Sequence, residues 1–428
     1  MRFWVVAIGE PVPVGLAATD RLHRGGSLAR FLAAAGHEVL WWTSAFDHFR
    51  KAHLFKTSTS LRLSETLGVR LLHGCGYGGN VSLSRILDQR SIARQFEHES
   101  QEHEALPDIV VSALPPVELC SSVVHYGRSR GVPTVLDMRD MWPDIFLTLA
   151  PAVLRPFSRL LLSPMFRMMR NTCMGATGIV GITGEFVDWG LGYAGRTRGD
   201  YDRDFPLAYA TQEPASEAVS AAVRFWKDQG LFGGTDPFVI AYVGSMNRTD
   251  RLECLLEAAS RLTREHNDHF RFVVCGVGDQ MERFKRMTAG NPLVSFPGWI
   301  DAAAIYVLLR ASTIGFDPLP VRSDIVRGIN NKAVEYLSAG LPIISMPENG
   351  VLADLLRDEG CGLSFDGTAD VLVRMLVRLD ADRSAVRAMS EKSAALFRKR
   401  FAADRVYKDM MDHLTFIATD YKSAGSVS

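Results

Sequence analysis

Short apolar runs separated by longer segments of helical period recur along the chain in two blocks, the pattern expected of parallel strand–helix–strand units. In the first block, residues 2–8, 38–43, 69–72, 109–113, 134–137 and 178–183 predict strands. Residues 26–35 and 117–130 predict helices, with Leu28, Phe31 and Leu32 on one face of the first. A polar stretch over 195–236, punctuated by Gly and Pro, interrupts the pattern, although 216–229 has the period of a helix. The pattern then resumes with strands at 238–243, 271–275, 294–296, 313–316, 342–345 and 362–365. Helices are predicted at 252–265, 302–310, 332–338, 351–358 and 371–379. Residues 385–416 have helical composition with no strand after them.

This reading predicts an α/β protein with two Rossmann-like domains facing across a cleft, at 1–205 and 206–395. A C-terminal helix and tail, 396–428, would cross back to the first domain. Doubly wound sheets hold ligands at the carboxyl ends of their strands, so the expected site is shared between the domains.

Composition narrows the partners. The 428 residues are 47% hydrophobic and 22% charged, and 48 Lys and Arg balance 48 Asp and Glu. No long-range field therefore favours nucleic acid, and any anion site must be local. The six cysteines, Cys75, Cys120, Cys173, Cys254, Cys275 and Cys361, lie far apart without metal-ligand spacing and are expected as reduced thiols. The apolar start lacks a basic leader and reads as a first strand. No run approaches the roughly 18 apolar residues of a spanning helix, so a cytoplasmic protein is expected.

The strongest local chemistry lies at Arg327-Gly328-Ile329-Asn330-Asn331-Lys332-Ala333-Val334-Glu335-Tyr336, running on to Gly340, Pro342 and Ser345. A polar loop enters a short helix, Gly340 ends it, and a buried strand follows. The first turn exposes backbone N–H groups that favour an anion such as a pyrophosphate, and Lys332 adds a full charge there. Glu335, three residues on, lies on the same face, where a carboxylate accepts hydrogen bonds from two ribose hydroxyls. The same residues equally suit a capped surface helix with an ordinary Lys–Glu pair.

This stretch resembles the donor-binding segment of family 4 glycosyltransferases, especially the branch that makes O-antigen and capsule polysaccharides. Other segments agree in order. Gly25-Gly26 and the helix after them resemble that family's N-terminal glycine loop, where the backbone comes close to a ligand. The run from Asp137 through Arg139, Asp140 and Trp142 to Pro143 resembles its D-x-R-D-x-W-P motif. Val243-Gly244-Ser245 resembles the opening of its second domain, and Cys275-Gly276-Val277-Gly278 its G-x-G strand end. The resemblance implies a GT-B fold and a retaining, metal-independent transfer from a nucleotide-diphosphate sugar to a sugar or lipid-linked acceptor, with no cofactor. By the same resemblance, Arg139, Asp140 and Lys332 are the active-site candidates. Gly25, Gly26, Gly244, Arg248, Gly276, Arg327, Asn331 and Glu335 are the donor-binding ones.

Two departures stand out. Glu335 matches the second glutamate of the family's E-x7-E motif, but the first falls on Arg327, with Asp324 or Asn330 as substitutes. The basic pair that grips the pyrophosphate is also replaced near Ser245 and Asp250, leaving Arg248, Arg327 and Lys332 to neutralise phosphate. A catalytically weakened homologue acting as a binding subunit, or a nucleotide-sugar 2-epimerase on the same fold, are the alternatives.

The D-x-D spacings at Asp200, Asp202 and Asp204 sit in a polar linker and are not read as a metal site. Residues 154–174 combine Leu160, Leu161, Met165 and Phe166 with Arg155, Arg159, Arg167 and Arg170, a basic amphipathic helix suited either to an anionic membrane surface or to core packing. Residues 77–82 lead into a helix carrying Arg85, Arg90 and Arg94, a place for an acceptor phosphate or simply a solvated face.

Overall fold

A computed structural model describes residues 1–14, 22–80, 82–103, 105–149, 155–211, 213–231, 236–320, 322 and 325–425. The chain divides into two compact units, Met1–Pro206 with Val406–Ser428, and Leu207–Arg405.

The first unit is built on an eight-stranded sheet. In chain order its strands are β1 (Arg2–Val6), β2 (Glu38–Ser44), β5 (Thr59–Arg62), β6 (Leu67–Leu72), β7 (Ile109–Leu114), β8 (Thr134–Met138), β9 (Gly178–Gly181) and β10 (Arg203–Asp204). The small antiparallel pair β3 (Phe46–Asp47) and β4 (Ala52–His53) forms outside it. The spatial order is β10-β9-β8-β7-β1-β2-β6-β5. All neighbours are parallel except the edge strand β5, which runs antiparallel to β6. The apolar runs that mark these strands are buried on both faces, as a sheet covered by crossover helices requires. Trp4 and Trp42 lie together on one face, where Trp4 stacks on Tyr126 at 5.1 Å.

The second unit holds six parallel strands, β11 (Phe238–Val243), β12 (Phe270–Cys275), β13 (Val294–Gly298), β14 (Ile314–Pro318), β15 (Ile343–Met346) and β16 (Gly362–Ser364). Their order is β13-β12-β11-β14-β15-β16. Alternation along β11 divides the core: Phe238, Ile240 and Tyr242 enter one cluster, Val239 and Ala241 the other. The interrupted stretch contributes the helix Ser216–Asp228, whose Trp226 is fully buried and donates its indole N–H to the Ala304 carbonyl at 2.8 Å. That anchor explains why a helix from a polar linker belongs to this unit.

The helix Ala403–Gly425 carries the chain back into the first unit. There Arg24 reaches the Met410 sulfur, Tyr201 donates to Asp420, and Lys422 pairs with Asp108. The basic amphipathic segment is two helices, Arg155–Leu161 and Ser163–Gly175, because Pro164 opens a new first turn. Residue 154 of that segment lies outside the described residues.

Candidate functional site

In each sheet the chain first builds outward on one side of a central strand and then crosses to the other. In the second unit that switch lies between β11 and β14, the place where open α/β sheets hold their ligands. Of the predicted donor residues, Gly244, Gly276, Asn331 and Glu335 lie on or next to the elements around this point, whereas Gly25 and Gly26 lie in the first unit. Gly244 directly follows β11, Asp317 lies on β14, and the helix Asn331–Ser338 starts beside them. Asn330 caps that helix: its side-chain oxygen accepts from the Ala333 N–H at 2.8 Å, and its amide donates to both Asp317 oxygens at 3.0 and 2.8 Å.

Lys332 extends back toward β11, its Nζ 3.7 Å from Asp250 and 4.0 Å from the fully buried Asp317. A Cβ on Gly244 would sit 3.0 Å from the Lys332 chain and 2.9 Å from the Tyr242 hydroxyl, so glycine lets the lysine lie across the strand end. Burial pushes the Asp317 carboxyl up; Lys332 and the Asn330 amide oppose that, while Asp250 reinforces it. The ammonium is thus held by two carboxylates, one of them at a position where the resemblance implies a cation. Asp250 itself accepts from the Ser245 hydroxyl at 2.8 Å and the Asn247 N–H at 3.0 Å.

Glu335 lies one turn beyond Lys332 and accepts a hydrogen bond from the Tyr209 hydroxyl at 2.7 Å. Nothing in the sequence pointed to Tyr209, a linker residue that bridges to Ala402 and meets Glu335 through the fold. Asn331 is exposed on the first turn. Gly276 and Gly278 serve close backbone packing: a Cβ on Gly276, whose φ is +128°, would fall 1.8 Å from the Gly244 carbonyl, and one on Gly278 2.3 Å from that of Met246. Arg248 is 85% exposed and lies 3.9 Å from Asp279. Arg327 sits half-buried in the turn before the helix, and Asp324 lies outside the described residues.

In the first unit the switch lies between β1 and β7, and an ion network fills its neighbourhood. Glu10, beyond β1, accepts the N–H groups of Gly25 and Gly26 at 2.9 Å each, at the start of the helix Arg24–Ala34. The helix terminus is thereby satisfied by a carboxylate of the chain itself. A Cβ on Gly25 would lie 2.5 Å from that of Ala7, and one on Gly26 2.8 Å from the Trp41 ring, so the close approach at both glycines is to the chain.

Arg139 pairs with Glu10 and with Asp137 at 2.8 Å, and Arg24 holds Asp137 at 2.9 Å. Burial alone would raise Asp137, but the two guanidiniums outweigh it and hold the carboxyl at about 2. Sequence reasoning missed Glu10 and Arg24, which are unremarkable by type and meet Arg139 only through the topology. Asp140 is exposed. Asp202, of the D-x-D spacing, is spent on Arg196 and on the N–H groups of Ile179 and Gly199.

Residues 237–382 match the family described as glycosyl transferases group 1. No curated protein matches the chain in sequence. Among solved structures, sucrose-phosphate synthase from Thermosynechococcus elongatus superposes with a TM-score of 0.69 at 15% identity, over 100% of both chains. HepE from Anabaena, solved in complex with UDP, gives 0.64 at 12%, over 97% of this chain and 100% of that one. A UDP-forming trehalose-phosphate synthase from Burkholderia xenovorans gives 0.64 at 12%, over 97% and 99%. The fold is the GT-B fold, and it is residues 237–382, within the second unit, that match the group 1 glycosyl transferase family.

Proposed function

We propose that this protein transfers a sugar from a nucleotide-diphosphate donor held at the switch point of the second unit. The observation that carries the reading is Glu335. Its carboxylate already accepts a neutral hydroxyl, from Tyr209, and a carboxylate offers about four acceptor positions, so capacity remains for ribose hydroxyls. One turn earlier, Lys332 and the N–H groups of the helix start face the place a diphosphate would take. Negative charge growing on the departing diphosphate is stabilised by such fixed groups without a metal. In a retaining front-face displacement the leaving phosphate itself takes the acceptor's proton, so no protein base is required. UDP is the first donor nucleotide to test, because HepE was solved with it.

The acceptor we propose is a sugar or lipid-linked glycan, in surface polysaccharide assembly on the cytoplasmic side. Phe157, Leu160 and Leu161 stand about 70% exposed near Arg155 and Arg159, which supports a peripheral seat on anionic lipid. Among the described residues, no helix is long and apolar enough to cross a membrane.

A second reading, a weakened homologue that binds without turnover, is favoured by Asp250 and Ser245 where the resemblance implies cations and by Arg327 where it implies an acid. Release of nucleoside diphosphate from UDP-, GDP- and ADP-sugars in EDTA, measured with the purified protein, separates the two. Release from one donor, lost in Glu335→Ala, supports transfer. Tight nucleotide binding with no release from any donor supports the second reading, and neither binding nor release overturns both.

A further inference from the structure

Beyond the ion network, the first unit carries a second group of charged side chains whose balance is different. Lys51, in the turn of the β3–β4 pair, has a left-handed φ of +55°. Its ammonium donates to the Asn80 side-chain oxygen at 2.5 Å and lies 3.5 Å from His48 Nδ1. Arg85, in the first turn of the helix Leu83–Gln101, donates one nitrogen to the Asn80 carbonyl at 2.7 Å. Its Nε is buried without a hydrogen-bond partner among the described residues. Both cations flank the Tyr77 ring, Lys51 at 4.8 Å and Arg85 at 5.7 Å, and Arg85 also covers Trp142 at 5.1 Å. His48 shares its Nδ1 with the Tyr77 hydroxyl at 2.5 Å.

Among the described residues, the oxygens that meet Lys51 and Arg85 are neutral. The neighbouring carboxylate, Asp47, is committed to the Phe49 and Arg50 N–H groups and to the Arg50 guanidinium. The excess positive charge is felt by the neighbours. Burial, then Lys51 and Arg85, push His48 down to about 4, and burial and Arg85 push Lys51 below its usual value. A buried guanidinium nitrogen with no acceptor is costly, and an oxyanion beside the guanidinium would offset that cost. Arg90 and Arg94, farther along the helix, are exposed, and Arg90 turns to Glu118 at 3.8 Å. Trp142 ties the group to the segment that carries Arg139 and Asp140.

We infer that Lys51 and Arg85, with His48, Tyr77 and Trp142 as walls, form a binding site for a phosphate ester. On the function proposed above, which this step rests on, that ester belongs to the acceptor.

Isothermal titration of the full chain with glucose 1-phosphate, and with dihexanoyl phosphatidic acid below its micelle concentration, tests this and separates a sugar phosphate from a lipid headgroup as the source. Binding of either probe is expected, weakened about tenfold or more by Lys51→Gln and by Arg85→Gln, less by Arg85→Lys, and unchanged by Lys332→Ala. Absence of binding to both probes, equal binding by the glutamine variants, or loss of binding in Lys332→Ala overturns the site. Circular dichroism of each variant guards against misfolding, and Arg85→Lys keeps the test open if Arg85→Gln does not fold. A parallel UDP titration keeps the two claims apart. If UDP fails to bind while the Arg85-dependent probe binding persists, the donor reading falls and the phosphate site stands.

Discussion

Lys332 lies between Asp250 and Asp317 in a setting where a diphosphate would compete with two carboxylates for one ammonium. Removing the nearer charge should favour the ligand. Asp250→Asn keeps an oxygen for Ser245 and Asn247 and is expected to tighten UDP binding by up to about tenfold, roughly one screened charge interaction, measured by calorimetry. Weaker binding in that variant would mean that Asp250 itself holds the ligand.

His48 yields a second prediction. Folded, it is held at about 4 by burial, Lys51, Arg85 and His23, with Asp47 opposing, against 6.5 in the open chain. The unfolded chain then binds more protons between those values, so stability falls as pH drops from about 6.5 to 4. Urea unfolding midpoints across that window should show the slope, and His48→Gln should flatten it. At this scale Lys332 and Glu335 were legible because one helix turn fixes their relation. Tyr209, Glu10 and Asp317 were not, since each reaches its partner across the fold.

The elements themselves were largely legible. Buried parallel strands demand continuous apolar runs, and the predicted strands at 38–43, 134–137 and 238–243 lie within a residue of β2, β8 and β11. The edge strand β5 and the β3–β4 pair were not predicted, because half-exposed or two-residue strands leave no such run. Element positions also explain the Glu10–Arg139–Asp137–Arg24 network, which ties the ends of β1 and β8 to the helix Arg24–Ala34. The side chains of Arg24 and Asp137 are 5% and 0% exposed. Breaking a buried pair by removing one charge costs about 3–5 kcal/mol, so Asp137→Asn should lower unfolding stability by that order in chemical denaturation. A change under about 1 kcal/mol would show the network to be well solvated.

At the scale of the molecule, each unit repeats one plan: a parallel sheet, a switch of direction beside its central strand, and polar groups gathered at the strand ends. The helix Ala403–Gly425 returns the chain to the first unit, which its late, strandless position suggested but only long-range pairs such as Lys422 with Asp108 could fix. On the proposed function, the second unit binds a nucleoside diphosphate through the helix Asn331–Ser338. Thermal-shift titration with UDP, GDP and ADP in EDTA, on the wild type and on Glu335→Ala, tests it most directly. A ligand that binds only the folded state adds about 2.7 kcal/mol of stability at a hundredfold excess over Kd. One nucleotide should raise the wild-type Tm clearly and the variant's much less. No shift with any of them, or an equal shift in Glu335→Ala, would rule out this donor site.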